Sequence, residues 1–98
     1  MIIEFPGTSI SEIMNSLQQA IQEESLEHMV KFELSDLELK VTISKAGTSY
    51  IFFNVKEVSG KTIFSHKTEK IALVHRAVKG QVKQEILTIV AIAGGKIR

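Results

Sequence analysis

Residues 32–47 read FELSDLELKVTISKAG, and the way this stretch alternates decides what kind of domain the chain builds. From Leu37 onward, Leu37, Leu39, Val41 and Ile43 point one way, and Glu38, Lys40, Thr42 and Ser44 point the other. A period of two is the mark of a strand with one face on a core and one face in water. Just upstream, Val30, Phe32 and Leu34 alternate with Lys31 and Glu33, and the parity changes across Ser35-Asp36. Two strands joined by a turn, or one bulged strand, keep the apolar side chains on the same face through that change.

Working outward, Ala46-Gly47-Thr48-Ser49 is a turn signal, and Tyr50 to Val58 reads as an extended run. In it Ile51, Phe53 and Val55 share one side, and Tyr50, Phe52 and Asn54 the other. Ser59-Gly60-Lys61 turns the chain again; Thr62 to Phe64 begins a further strand, and Glu69 to His75 continues the alternation through Ile71 and Leu73. Upstream, Ile10, Ile13, Met14, Leu17 and Ile21 fall at helical spacing, so the pattern predicts an amphipathic helix from Ser9 to about Glu24. Ser9 followed by Glu12 fits a capping box at its start, after the breaker Pro6-Gly7. The tail 77–98 suits a helix through Val82, Ile86, Ile89 and Ala93, while Leu87 to Ile92 is strand-like in composition; helix is the reading preferred here. Gly94-Gly95 ends either element.

The expected fold class is therefore α+β: an N-terminal amphipathic helix packed on an antiparallel sheet of three to four sequential strands, with a C-terminal extension at 77–98. A chain of 98 residues matches one domain with one core. Its 44% hydrophobic and 23% charged residues are ordinary for a globular protein, and the lack of cysteine removes disulfides and thiolate chemistry. The opening Met1 to Pro6 has no basic stretch followed by a long apolar one, and the run Ile86 to Gly95 is about half the ~20 residues of a membrane helix, so a cytoplasmic protein without membrane attachment is expected.

The net charge of +1 hides an asymmetry. Residues 1–30 hold five glutamates and no lysine or arginine, and all twelve basic residues follow. Lys61, Lys67, Lys70, Arg76, Lys79 and Lys83 make the densest basic section, opposed there by Glu69 alone.

The order of parts, with "ISEIMNSLQQAIQEE", "VKFELSDLELKVTISKAG", "FFNV" and "SHKTEKIALV", resembles the second type of trypsin-co-occurring domain, a small bacterial α+β module. The similarity covers about residues 9–74, and Phe32 to Val41 is its most specific piece. A proline expected to close the last strand is missing around Ala77-Val78, and 80–98 has no counterpart. The resemblance implies a non-catalytic association module of a bacterial conflict or signalling system, working beside a trypsin-like peptidase or related partner, and it supplies no catalytic residues to carry over.

The residues themselves suggest no reaction. Asp36 is the single aspartate, and no serine stands in a Gly-x-Ser-x-Gly setting. His28, His66 and His75 have no two members four apart on a helical face and read as surface or rim residues, so no metal site is expected. Gly94-Gly95-Lys96 lacks the phosphate-loop pattern, and no cofactor is expected. Phe53 belongs to the core set; Tyr50 and Phe52 are either covered by the tail, the reading preferred here, or exposed to a partner. Tyr50, Phe52, Lys40 and Thr42 are thus the candidate interaction surface, for a protein partner or a second copy of the chain. The alternative is weak nucleic-acid binding by Lys61, Lys67, Lys70, Arg76, Lys79 and Lys83, in a section where Phe64 is the one aromatic residue available to stack a base.

Overall fold

The computed structural model describes residues 1–7 and 9–98, apart from the side chain of Lys79. Its elements in chain order are β1 (Ile2–Pro6), α1 (Ile10–Glu23), β2 (Val30–Ser35), β3 (Glu38–Ser44), β4 (Thr48–Val58), β5 (Lys61–Lys70), α2 (Leu73–Arg76), α3 (Lys79–Ile92) and β6 (Lys96–Ile97). The strands form one six-stranded sheet in the order β2-β3-β4-β5-β1-β6. Every neighbouring pair is antiparallel.

This corrects the expected architecture of a first helix on three to four sequential strands. A strand precedes α1, and it enters the sheet beyond β5, where Ile3 pairs with Phe64 and Phe5 with Thr62. The tail is no appendage either, because α3 joins the core and β6 pairs with β1. Geometry explains why one helix does not suffice: a helix is about 10 Å wide, whereas six strands span roughly 25 Å across the sheet. Helix α1 therefore covers the side of β2, and α3 lies beside it on the side of β6.

Both helices sit on the same face of the sheet. The buried apolar residues form one cluster, to which α1 gives Ile13, Leu17, Ala20 and Ile21 and α3 gives Val82, Ile86, Ile89 and Val90. Under them lie Ile3, Phe5, Val30, Leu39, Val41, Ile43, Ile51, Phe53, Val55 and Phe64, the inward set of five strands. The phenyl rings of Phe5 and Phe64 meet edge to face with centroids 5.5 Å apart, the arrangement that ring quadrupoles favour. Helix α1 starts as its sequence specifies: Ser9 is extended and its Oγ accepts from the Glu12 amide at 3.3 Å.

Three local expectations also change. The shift of parity after Leu34 comes from a turn, with Asp36 in the left-handed region at φ +54°, so Leu37 is a turn residue and 65% exposed instead of an inward strand residue. Residues 61–70 form one strand, kept in phase by a bulge: Phe52 faces Thr68 and Phe53 faces His66, which leaves Lys67 as the extra residue. The strand stops at Lys70, and the expected continuation through Leu73 to His75 is instead the short helix α2, with Leu73 78% exposed. At the other end Gly95 passes so close to Phe5 and Val90 that a Cβ there would lie 2.8 Å from the ring and 2.6 Å from Val90 Cγ1. Only glycine lets the chain leave α3 and return as β6.

Candidate functional site

The face of the sheet turned away from the helices is where the sequence-derived interaction residues fall. Lys40 and Thr42 of β3 stand opposite Phe52 and Tyr50 of β4. The aromatic rings stack at 6.4 Å between centroids with 28° between their planes, and Lys40 Nζ lies 5.5 Å from the Tyr50 centroid. That is the range of an attractive cation–π contact. Lys40 is also 3.6 Å from Glu33 of the adjoining strand. Thr42 Oγ1 is shielded from solvent and has no hydrogen-bond partner among the described residues. The structure thus brings Tyr50, Phe52, Lys40 and Thr42 into one half-buried cluster in the middle of the open face.

The tail does not cover this cluster, contrary to the preferred reading of the sequence. Its helix α3 packs with α1 on the opposite face, because Val82, Ile86, Ile89 and Val90 are drawn to the larger apolar set there. Among the described residues, Tyr50 and Phe52 stack on each other, and Lys40 lies over the Tyr50 ring.

The basic section does not assemble in the same way. Lys61 is held by Glu4 at 2.7 Å at the start of β5, and Lys67, lifted out by the bulge, is held by Glu38 at 2.6 Å. Lys83 lies on the helix side, 3.2 Å from Glu69. Lys70 faces Tyr50 on the open side, and Arg76 is exposed on α2. The Lys79 side chain lies outside the described part. Proximity along a strand places neighbours on alternate faces, so a sequence run of cations becomes a set of separate ion pairs.

Two polar groups, a turn serine and a histidine, are central to one end of the sheet. His75, expected at the surface, is 4% exposed, and Ser49 is fully buried. His75 Nε2 lies 2.6 Å from the Lys45 carbonyl, which only accepts, so this nitrogen carries the hydrogen. In the neutral imidazole Nδ1 is then the acceptor for the Ser49 hydroxyl at 2.5 Å, and Ser49 Oγ accepts in turn from the Ala72 amide at 2.8 Å. The network fastens α2 over the β3–β4 turn. A serine and a histidine in contact invite comparison with a nucleophile and its base, but here the hydroxyl is sealed from solvent and the far ring nitrogen is tied to a backbone carbonyl instead of a carboxylate. His66, the other inward histidine, bonds Glu69 at 2.9 Å and sets its ring edge to face against Phe53. A signal for the clasp exists in the sequence only as a turn serine and a histidine 26 positions apart, which topology alone brings together.

Beside the clasp is a cleft of about 260 Å³ whose lining includes Met29, Ile43, Val74, His75, Val82 and Glu85. Among the described residues no group of three or more His, Cys, Asp or Glu could hold a metal ion, and no helix is long and apolar enough to cross a membrane. The Glu4 pKa is lowered, chiefly by its hydrogen bond from Lys61, against some opposing desolvation. No family model, no curated protein and no solved structure matches this chain.

Proposed function

We propose that the chain is a non-catalytic protein-interaction module that docks a protein partner on its open sheet face, around Tyr50, Phe52, Lys40 and Thr42. One observation carries the reading: both helices and the tail cover the same face, which leaves a stacked aromatic pair uncovered in the centre of the other. Aromatic residues beside a cation are the side chains that most often dominate binding energy when a partner excludes water from them. The resemblance of Phe32 to Val41 to the trypsin-co-occurring domain adds the setting, a cytoplasmic adaptor in a bacterial conflict or signalling system with a peptidase-containing or related partner. The rival reading, nucleic-acid binding by the basic section, draws less support, since Lys61, Lys67 and Lys83 are each engaged by a carboxylate.

The test uses Tyr50→Ser with Phe52→Ser, and separately Lys61→Glu with Lys83→Glu, two lysines of the basic section away from the aromatic pair. A partner captured by the wild-type chain from nuclease-treated native lysate, then purified, is expected to bind the lysine variant as before and to lose at least about tenfold in affinity for the aromatic variant. Melting curves check that both variants remain folded. Binding that survives loss of both rings overturns the reading, and recovery that disappears with nuclease and with the lysine changes transfers the function to nucleic acid.

A further inference from the structure

The sheet ends on one side in β2, six residues with no proline and no bulge, and among the described residues no strand pairs with its outer edge. The direction of its peptide groups follows from one hydrogen bond. Ser44 N–H donates to the Met29 carbonyl at 2.7 Å, so Met29 and Ser44 are a hydrogen-bonded pair. Such pairs alternate along an antiparallel ladder, which makes Lys31/Thr42 and Glu33/Lys40 the next two. The peptide groups of Val30, Phe32 and Leu34 therefore face away from β3, and the Val30 N–H does so towards the Leu26 carbonyl, 2.9 Å away. What the edge offers is the carbonyl of Val30 and both groups of Phe32 and Leu34.

We infer that this edge pairs with β2 of a second copy of the chain, antiparallel about a two-fold axis at Phe32, joining two sheets into one. In this register Phe32 bonds Phe32 of the second copy in both directions, and each Leu34 N–H donates to the other copy's Val30 carbonyl. No group already used by Leu26 is needed. Charge then selects the register from its neighbours: with the axis at Phe32, Lys31 stands opposite Glu33 of the other copy, twice. Sliding the axis to position 31 sets lysine against lysine, and sliding it to position 33 sets glutamate against glutamate, both of which destabilise a cross-strand pair. Residues 31 and 33 also occupy the non-hydrogen-bonded sites of the new ladder, where opposing side chains approach most closely. Within one copy Lys31 is only loosely held, 3.9 Å from Glu33 and 71% exposed in its side chain, so it is available to the second copy. On the helix side, half-buried Phe32 and Leu34, already packed against the core, become a continuous apolar row across the axis. This edge is separate from the open-face cluster, and either proposal can fail without the other.

Sedimentation equilibrium of the full chain tests the association and its register. The wild type is expected to dimerise; Lys31→Glu and Glu33→Lys, each of which turns two attractive pairs into repulsive ones, should each weaken the dimer roughly tenfold. An equal mixture of those two variants restores unlike pairs and should recover dimers. Because the chain has no cysteine, Lys31→Cys mixed with Glu33→Cys provides a positional check: the mixed pair sets the thiols opposite one another within disulfide reach and keeps one ion pair. Mild oxidation is expected to link the mixture and neither variant alone. A wild type that stays monomeric at all concentrations overturns the inference, and so does equal linking of Lys31→Cys to itself.

Discussion

His75 and Ser49 show how much one buried polar pair can hold. The imidazole bridges the Lys45 carbonyl and the Ser49 hydroxyl, and through Ser49 the Ala72 amide, so it joins α2 to the β3–β4 turn. Gly47 lies under the same clasp, since a Cβ there would come 2.8 Å from Val74. Removing one partner leaves the others desolvated and unpaired, which costs about 1–3 kcal/mol. Ser49→Ala and His75→Phe are each expected to lower stability by that much in urea unfolding, and the double variant by clearly less than their sum, as coupled groups require. Full additivity would mean that the two side chains act separately. A second residue-scale expectation concerns neighbours on β3. Leu39 is 3% exposed within the core whereas Lys40 lies on the open face, so Leu39→Asp should abolish cooperative melting by burying a charge, while Lys40→Glu should change stability by less than about 1 kcal/mol. Equal melting of the two would overturn the assignment of faces.

At the scale of elements, the short β6 is held both by backbone pairing with β1 and by charge. It contributes two residues to the sheet, and Glu4 of β1 gathers Lys61 at 2.7 Å and Arg98 at 3.3 Å around it. The hydrogen bond from Lys61 holds the Glu4 carboxyl below the usual glutamate range. A carboxyl with a folded pKa below its unfolded one stabilises the folded state above the unfolded value, and this contribution is lost as pH falls through the folded pKa. Acidification from neutral to below the ordinary glutamate range should therefore free β6 before the core opens. Hydrogen exchange at the Arg98 amide, which donates to the Ile2 carbonyl at 2.9 Å, should lose protection across that window beyond the intrinsic pH effect. In Glu4→Gln the same amide should be less protected than in the wild type already at neutral pH, by a few fold at most.

The elements legible in the sequence are those whose pattern is long and internally consistent. Ile10 to Ile21 gave the period of α1 and Ser9 its start, and Leu39 to Ile43 gave the face of β3. Strand β1 went unread because only Ile3 and Phe5 carry its alternation, and no local pattern says that it pairs with residues 61–65. Leu73 belonged to an apparent alternation that Ser49 and His75 override by fastening the chain as α2. The candidate surface was legible to the extent that strand parity puts Lys40, Thr42, Tyr50 and Phe52 on one side. Whether the tail covered them was not, because a helix with Val82, Ile86 and Ile89 fits any apolar face, and the choice depends on where α1 leaves room.

For the whole molecule, that choice makes the tail part of the fold's foundation. Val82, Ile86, Ile89 and Val90 are buried in the same cluster as Ile3, Phe5 and Phe64. Complete burial of one such side chain stabilises by about 1.5–3 kcal/mol, so the four together account for roughly 6–12 kcal/mol. The net stability of a domain is about 5–15 kcal/mol, so losing them leaves little or none, before counting the β1 and β5 side chains then exposed. A chain ended after Val78 is therefore expected to lack a cooperative melting transition and dispersed amide resonances. Adding residues 79–98 as a separate peptide should restore both in a saturable manner, through folding coupled to binding in which the peptide again covers Ile13, Leu17 and Phe5. A shortened chain that melts cooperatively at the wild-type temperature would show that α1 alone closes the sheet. The same result would turn α3 into a removable cover and move the search for a binding face to the apolar surface beneath it.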